Sequence, residues 1–255
     1  MMRICRGGER MATTHIRPGP ESENWQTVVP ERGLTALVIL ESLGIFFLGP
    51  LTETHRWLTG LDAVLVSLTL FATVLVVWRN RIAVITALVA FALGFATAVL
   101  RHQLPSSLAM YVDFAAKLVF LGTSTWIVGI AVFGPGQVTL HRIRGAVAIY
   151  LQVSLIFMYF YLLLLRTDPQ AFAPTISLTG PTGDVLWGAR GGGSMAYFSL
   201  ATLTTLGYGD IVPVHPLARS LATLEALLGQ LFPATILARL VTLEVANRRQ
   251  VRIPD

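Results

Sequence analysis

The chain has 255 residues, of which 54% are hydrophobic and only 13% carry a formal charge. Soluble domains carry roughly 25% charged residues, and a mean hydropathy of +0.65 points the same way, which excludes a disordered chain and argues against an ordinary soluble enzyme. The net charge of +5 would suit nucleic acid if the basic residues shared one face, but they cluster between long uncharged stretches, the pattern that flanks membrane spans.

Residues 1–33 read as a polar N-terminal tail, with Arg3, Arg6, Arg10, Arg17 and Arg32 beside Pro18, Pro20 and Pro30. No apolar run of secretory length follows the early arginines. The segment is expected to be a disordered cytoplasmic tail, with Met11 an alternative start to Met1. Cys5 is the single cysteine, so no disulfide can form within the chain.

Crossing ~30 Å of hydrocarbon takes about 20 mostly apolar helical residues. Six stretches qualify: 34–51, interrupted by Glu41; 61–78; 82–100; 108–133, with Asp113 and Lys117; 145–165; and 221–243, with Glu225 and Arg239. The expected fold is an all-α integral membrane protein of six transmembrane helices, four of them in a region over 34–133. Alternate connections carry 12 and 5 arginines, so the positive-inside rule places both termini in the cytoplasm. An even number of spans requires the same.

Between the fifth and sixth spans, 166–193 is rich in Pro and Gly and reads as an exposed loop. Ser194–Thr205 follows, a moderately apolar dozen too short to cross. A short apolar helix that leads into glycines suggests a re-entrant segment, which the membrane allows only where protein or a water-filled cavity shelters its backbone. Function is expected there.

Residues 202–210 read Thr-Leu-Thr-Thr-Leu-Gly-Tyr-Gly-Asp. This resembles the selectivity-filter signature T-x-T-T-x-G-Y-G-D of potassium channels, with every specified position matched, and the chain is similar to bacterial-type six-span members with one pore loop per chain. A potassium ion must exchange hydration oxygens for protein oxygens at little net cost and then leave, which rings of backbone carbonyls from four subunits can provide. Gly207 and Gly209 can take positive φ without a Cβ penalty. The resemblance implies a filter of Thr205, Leu206, Gly207, Tyr208 and Gly209. Its K+ sites would be formed by the carbonyls of Thr205, Leu206, Gly207 and Tyr208, with the Thr205 hydroxyl as innermost ligand. Thr204, Asp210, Tyr197 and Glu225 would support it. In the family the tyrosine equivalent to Tyr208 braces the filter and does not bind the ion. Asp210 would sit at the outer mouth, with Tyr197 either its partner or an aromatic packed at an interface.

The resemblance covers about 145–243, which becomes a pore domain of outer helix, pore helix, filter and inner helix. Gly229 lies 20 residues after Gly209, where inner helices of the family carry a glycine often treated as a hinge; helix packing is the other reading. Gln230 follows as a cavity residue, and Pro233 is expected to kink the helix. Glu225 is read as a structural bond behind the filter in preference to an ion ligand, and Arg239 as a residue that snorkels to the cytoplasmic interface. Asp113 and Lys117, four apart, suit an ion pair along one helix face. The repeated arginines of a voltage sensor are not evident in the fourth span. Residues 244–255 are expected to be a short cytoplasmic tail.

The expected function is passive, potassium-selective conduction through a homotetramer in a bacterial-type plasma membrane. Its partners would be potassium ions, lipid and three further copies of the chain, with no cofactor, no nucleic acid and no catalytic residue. A non-selective cation channel is the alternative. A rhomboid-like intramembrane protease is remote: after Gly191-Gly192-Gly193-Ser194 comes Met195 in place of a glycine, and no span supplies a histidine base. His15, His55, His102, His141 and His215 are scattered over different connections, which disfavours a metal cluster.

Overall fold

The computed structural model of the chain describes residues 31–48, scattered positions between 81 and 93, and residues 106–133, 140–174 and 192–251. The expected span at 61–78 and most of the tail at 1–33 lie outside the described residues, as does most of 82–100. The described part is almost entirely helical. Helix α1 (Glu31–Leu43) runs into a π turn over Gly44–Leu48, followed by α2 (Ser106–Phe133), α3 (Leu140–Thr167), α4 (Gly192–Leu203) and α5 (Pro216–Val251). A two-stranded antiparallel ladder joins β1 (Phe172–Pro174) to β2 (Ile211–Pro213).

Windows within α2, α3 and α5, at Met110–Ile130, Arg142–Thr167 and Pro216–Arg239, are long and apolar enough to cross a membrane. At 1.5 Å per residue, even the shortest of these windows covers about 30 Å. Each helix extends beyond its apolar stretch, because hydropathy marks the lipid-facing part while backbone hydrogen bonding continues into polar residues. Thus α1 begins at Glu31, inside the expected tail, and α5 continues from the expected span into Asn247–Gln250. Its start is defined by Pro216, whose missing N–H costs nothing in a first turn. The Leu217 N–H donates to His215 Nδ1 at 3.1 Å, so the histidine ring caps the helix.

Two apolar clusters hold these helices together. One packs Leu34 and Leu37 of α1 against Ile127 and Val128 of α2 and Ala148 and Ile149 of α3. The other centres on Tyr161 of α3, fully buried, with Phe172 of β1 and Met195 and Phe198 of α4. Three of these rings meet edge to face: Tyr161–Phe198 at 5.1 Å, Phe172–Phe198 at 5.3 Å and Tyr161–Phe172 at 5.6 Å. Edge-on pairs of this kind add to the burial energy of the rings.

The reading of 166–193 as an exposed loop needs correction over its first part. Ala171 and Phe172 are buried, and β1 pairs with β2 in the register Phe172↔Pro213, Ala173↔Val212, Pro174↔Ile211. The Ala171 carbonyl also accepts from the amides of Val214 and His215. A stretch this short gives no alternation to read, so its strand character depends on a partner 39 residues away. Its consequence is positional: the chain just after residue 210 is tied to the end of α3.

Candidate functional site

Helix α4 ends in a hydrogen-bonding pattern that delivers the chain into 205–209. The Thr205 amide donates to the Thr202 carbonyl at 3.0 Å and the Leu206 amide to the Ala201 carbonyl at 2.8 Å. These are the paired bonds of a Schellman cap, in which the residue after the helix takes a left-handed conformation, usually as glycine. Here that residue is Thr205, with φ 60°, and it is the one non-glycine positive φ among the described residues. A β-branched residue in this region is strained. Gly207 at φ 51° and Gly209 at φ 76° follow. Positive φ therefore falls on alternate residues, 205, 207 and 209.

The segment is held from two sides. Towards α4, the Tyr197 hydroxyl donates to Asp210 Oδ2 at 2.7 Å, and the Ile211 amide donates to Asp210 Oδ1 at 3.0 Å. The Tyr197 and Tyr208 rings are stacked, 6.3 Å apart and 4° from parallel. Partial desolvation, and next the Asp210 carboxylate, push the Tyr197 phenol up to about 12. Thr204 turns back onto its own helix, its hydroxyl donating to the Leu200 carbonyl at 2.7 Å. Towards α5, Gln230 Nε2 donates to Thr205 Oγ1 at 2.9 Å.

Behind α4 lies a buried polar cluster. Glu225 of α5 is fully buried; Tyr161 of α3 donates to its Oε2 at 2.6 Å, and Ser199 of α4 bonds its Oε1. Ser199 Oγ also lies 2.7 Å from the Ser154 carbonyl of α3. The Ser199 hydroxyl thus sits between the Glu225 carboxyl and the Ser154 carbonyl, and Tyr161 donates to the other carboxyl oxygen. A buried polar cluster is tolerated when it is satisfied in this way. Three helices are thereby joined behind the segment 205–209.

Gly229 lies at the crossing of α4 and α5. A Cβ built there would overlap the Leu203 carbonyl oxygen and come within 2.7 Å of its carbon. The same carbonyl accepts from the Tyr150 hydroxyl of α3 at 3.0 Å. Helix α5 passes through Pro233 without interruption.

With this geometry in view, comparison with known proteins is informative. Residues 145–245 match a family model described as ion channel. That match takes in most of α3, all of α4 and most of α5, less than half of the chain. A stretch of 51 residues is 49% identical to the inward rectifier potassium channel Kirbac3.1 of Paramagnetospirillum magnetotacticum, covering 19% of this chain and 17% of that protein. No solved structure gives a significant match. The segment from α3 to α5 is thus similar to an ion-channel domain, and its two long helices have the length and composition of membrane spans.

The remaining candidate residues fall outside this segment or at its edge. Lys117 Nζ bonds Asp113 Oδ2 at 2.7 Å along α2 and lies 5.5 Å from the centre of the Tyr159 ring of α3. The Arg239 guanidinium donates to the Val132 and Phe133 carbonyls at 3.3 and 3.1 Å, capping the C-terminus of α2. Sequence reasoning missed a second polar cluster, in which Gln152 of α3 donates to Glu41 of α1 at 2.8 Å and accepts from Thr125 of α2 at 2.9 Å. The signal was present, since Glu41 and Gln152 each interrupt an apolar stretch and a polar side chain in a span needs a partner.

Proposed function

We propose that the chain is one subunit of a potassium-selective channel that conducts passively through a filter of backbone carbonyls at 205–209. The observation that carries this reading is the alternation of positive φ at Thr205, Gly207 and Gly209. Successive carbonyls can face one axis only if the backbone alternates in hand, and rings of such oxygens can replace the hydration shell of a potassium ion. The match over 145–245 and the short likeness to an inward rectifier support the same reading. Under it, α3 is the outer helix, α4 a re-entrant pore helix whose negative C-terminal end faces the ion path, and α5 the inner helix. Asp210, Tyr197, Thr204 and Glu225 hold the filter in place.

One chain supplies a quarter of each carbonyl ring, so the proposed assembly is a homotetramer. Thr204 to Gly209 are all exposed on the single chain, as are Leu224, Leu227, Leu228 and Leu231 of α5, a surface suited to further copies. The proposed location is a cell membrane, with both termini cytoplasmic. Purified protein reconstituted in liposomes tests the reading: a tetramer is expected to pass potassium far faster than sodium. Equal rates would favour a non-selective cation channel, and a monomer with no ion flux would exclude both.

A further inference from the structure

We infer that Gln230 is a positioning residue for the innermost ion site: its side-chain amide fixes the Thr205 hydroxyl so that this oxygen presents a lone pair to the ion. The inference rests on the reading of 205–209 as a cation filter and adds to it the residue that sets the chemistry of its cavity end.

Adjacent threonines at the end of α4 are handled differently. Thr204 uses its hydroxyl on the Leu200 carbonyl, 2.7 Å away, the ordinary back-bond of a threonine in a helix. Thr205 has left the helix at φ 60°, and its hydroxyl oxygen accepts from Gln230 Nε2 at 2.9 Å. These two residues are 25 positions apart and meet because Gly229, next to Gln230, lets α5 approach α4 to the Leu203 carbonyl.

The direction of this bond decides its effect. A hydroxyl has two lone pairs and one proton, whereas a side-chain amide nitrogen only donates. The amide occupies one lone pair and restricts rotation about the Thr205 side chain, leaving the other pair for a cation. A hydroxyl free to rotate would turn its proton towards the ion in part of the ensemble and would have to reorient as each ion arrived. A ligand held in place beforehand avoids that reorganisation. Because glutamine is neutral, it does so without placing a fixed charge below the filter. The expected consequence is selective: ions bound at the cavity end should feel Gln230, and those further out should not.

Barium, a divalent ion of nearly potassium's size, serves as the probe, applied from the cavity side to the full-length protein in planar bilayers. Gln230→Leu is expected to weaken barium block about tenfold, the effect of losing roughly one hydrogen bond, and to change the rubidium-to-potassium permeability ratio. In a Thr205→Val background the same substitution should add nothing, because the hydroxyl it acts through is gone. A purely structural role would lower the Tm of the tetramer and scale the flux of all ions alike, leaving barium affinity and the permeability ratio unchanged; that result overturns the inference. If Gln230→Leu does not assemble, Gln230→Met keeps the chain length without the donor and carries the same expectation. A wild type that passes no potassium removes the filter reading and this inference together. A selective wild type whose barium block ignores Gln230 removes this inference alone.

Discussion

Gly229 of α5 lies directly against the main-chain carbonyl of Leu203, the last residue of α4, with no room between them for a methyl group. Because the obstacle is backbone, no rotamer change can relieve it. Overpacking typically costs about 1–3 kcal/mol where side chains can adjust, so Gly229→Ala is expected to cost at least the upper part of that range. It should lower the Tm of the assembled protein and abolish flux. Gly122→Ala and Gly129→Ala in α2, where an added Cβ meets nothing within 4 Å, are the controls and should leave Tm close to wild type. A Gly229→Ala protein of normal stability with altered gating would favour a hinge over the packing seen here.

Gly207 and Gly209 should be sensitive for a different reason. An added Cβ would meet nothing within 4 Å at Gly207 or Gly209, yet φ is +51° and +76°. An L-residue in the left-handed region costs about 1–2 kcal/mol, repeated in every subunit of an oligomer. Gly207→Ala and Gly209→Ala are therefore expected to lose selective potassium flux while still inserting into membranes. Potassium-over-sodium flux ratios from liposomes check this, and wild-type selectivity in Gly207→Ala would remove the carbonyl-ring mechanism.

These positions show what the sequence makes legible. Glycines at 207 and 209 advertise positive φ because few other residues tolerate it. Thr205 advertises nothing, since its left-handed conformation comes from the cap on α4, in which Leu206 and Thr205 bond to residues five and three back. The long apolar stretches locate α2, α3 and α5, because lipid imposes length and hydropathy directly on sequence, but their ends shift where polar residues extend a helix. Glu225 is visible as an anomaly in an apolar run. Its partners Tyr161 and Ser199 come from other helices, and no local pattern links them. The same is true of β1 and β2, a pairing too short for alternation, and of Arg239, whose acceptors lie 106 and 107 residues away.

The Glu225 cluster yields graded expectations. Glu225→Leu would leave the Tyr161 hydroxyl buried without that acceptor, at about 1–3 kcal/mol, while Ser199 loses one bond and keeps the Ser154 carbonyl. Glu225→Gln keeps one donor and one acceptor in nearly the same shape and should cost much less. Tyr161→Phe removes a single bond and should cost about 1 kcal/mol. Thermal unfolding of the reconstituted protein should rank Leu below both Gln and Phe. Equal losses for Gln and Leu would mean that the carboxylate charge matters, not the satisfied cluster.

The Tyr197–Asp210 bond sets a pH expectation. With its value raised from 10.0 to about 12, the phenol stays protonated, and a donor, at neutral pH. A raised value in the folded state means that its stabilising contribution is complete below 10.0 and is lost as pH climbs towards about 12. Potassium flux should therefore be flat with respect to this group from neutral pH upward and fall only in that alkaline window. Tyr197→Phe should show the lower selectivity of the alkaline state at neutral pH. If the variant matches wild type in both windows, the bond is not part of what holds the segment 205–209.

Voltage dependence provides the last test, because it depends on charges that can move. Within α2 the charged side chains are Asp113 and Lys117, joined at 2.7 Å. A pair of opposite charges that moves together transfers no net charge. Even Lys117 alone would contribute about 2.3 kcal/mol per 100 mV for a full crossing of the field, well short of what several gating charges per subunit supply. Conductance should change shallowly with potential in wild type. The double variant Asp113→Asn/Lys117→Met should keep the same slope. Both side chains are about one-third exposed, so the stability cost of losing the pair is expected to be small in water-facing surroundings and larger if lipid surrounds them. Each single variant leaves one charge behind, so each should be less stable than the double. A steep activation curve abolished by Lys117→Met would show that α2 does sense the field.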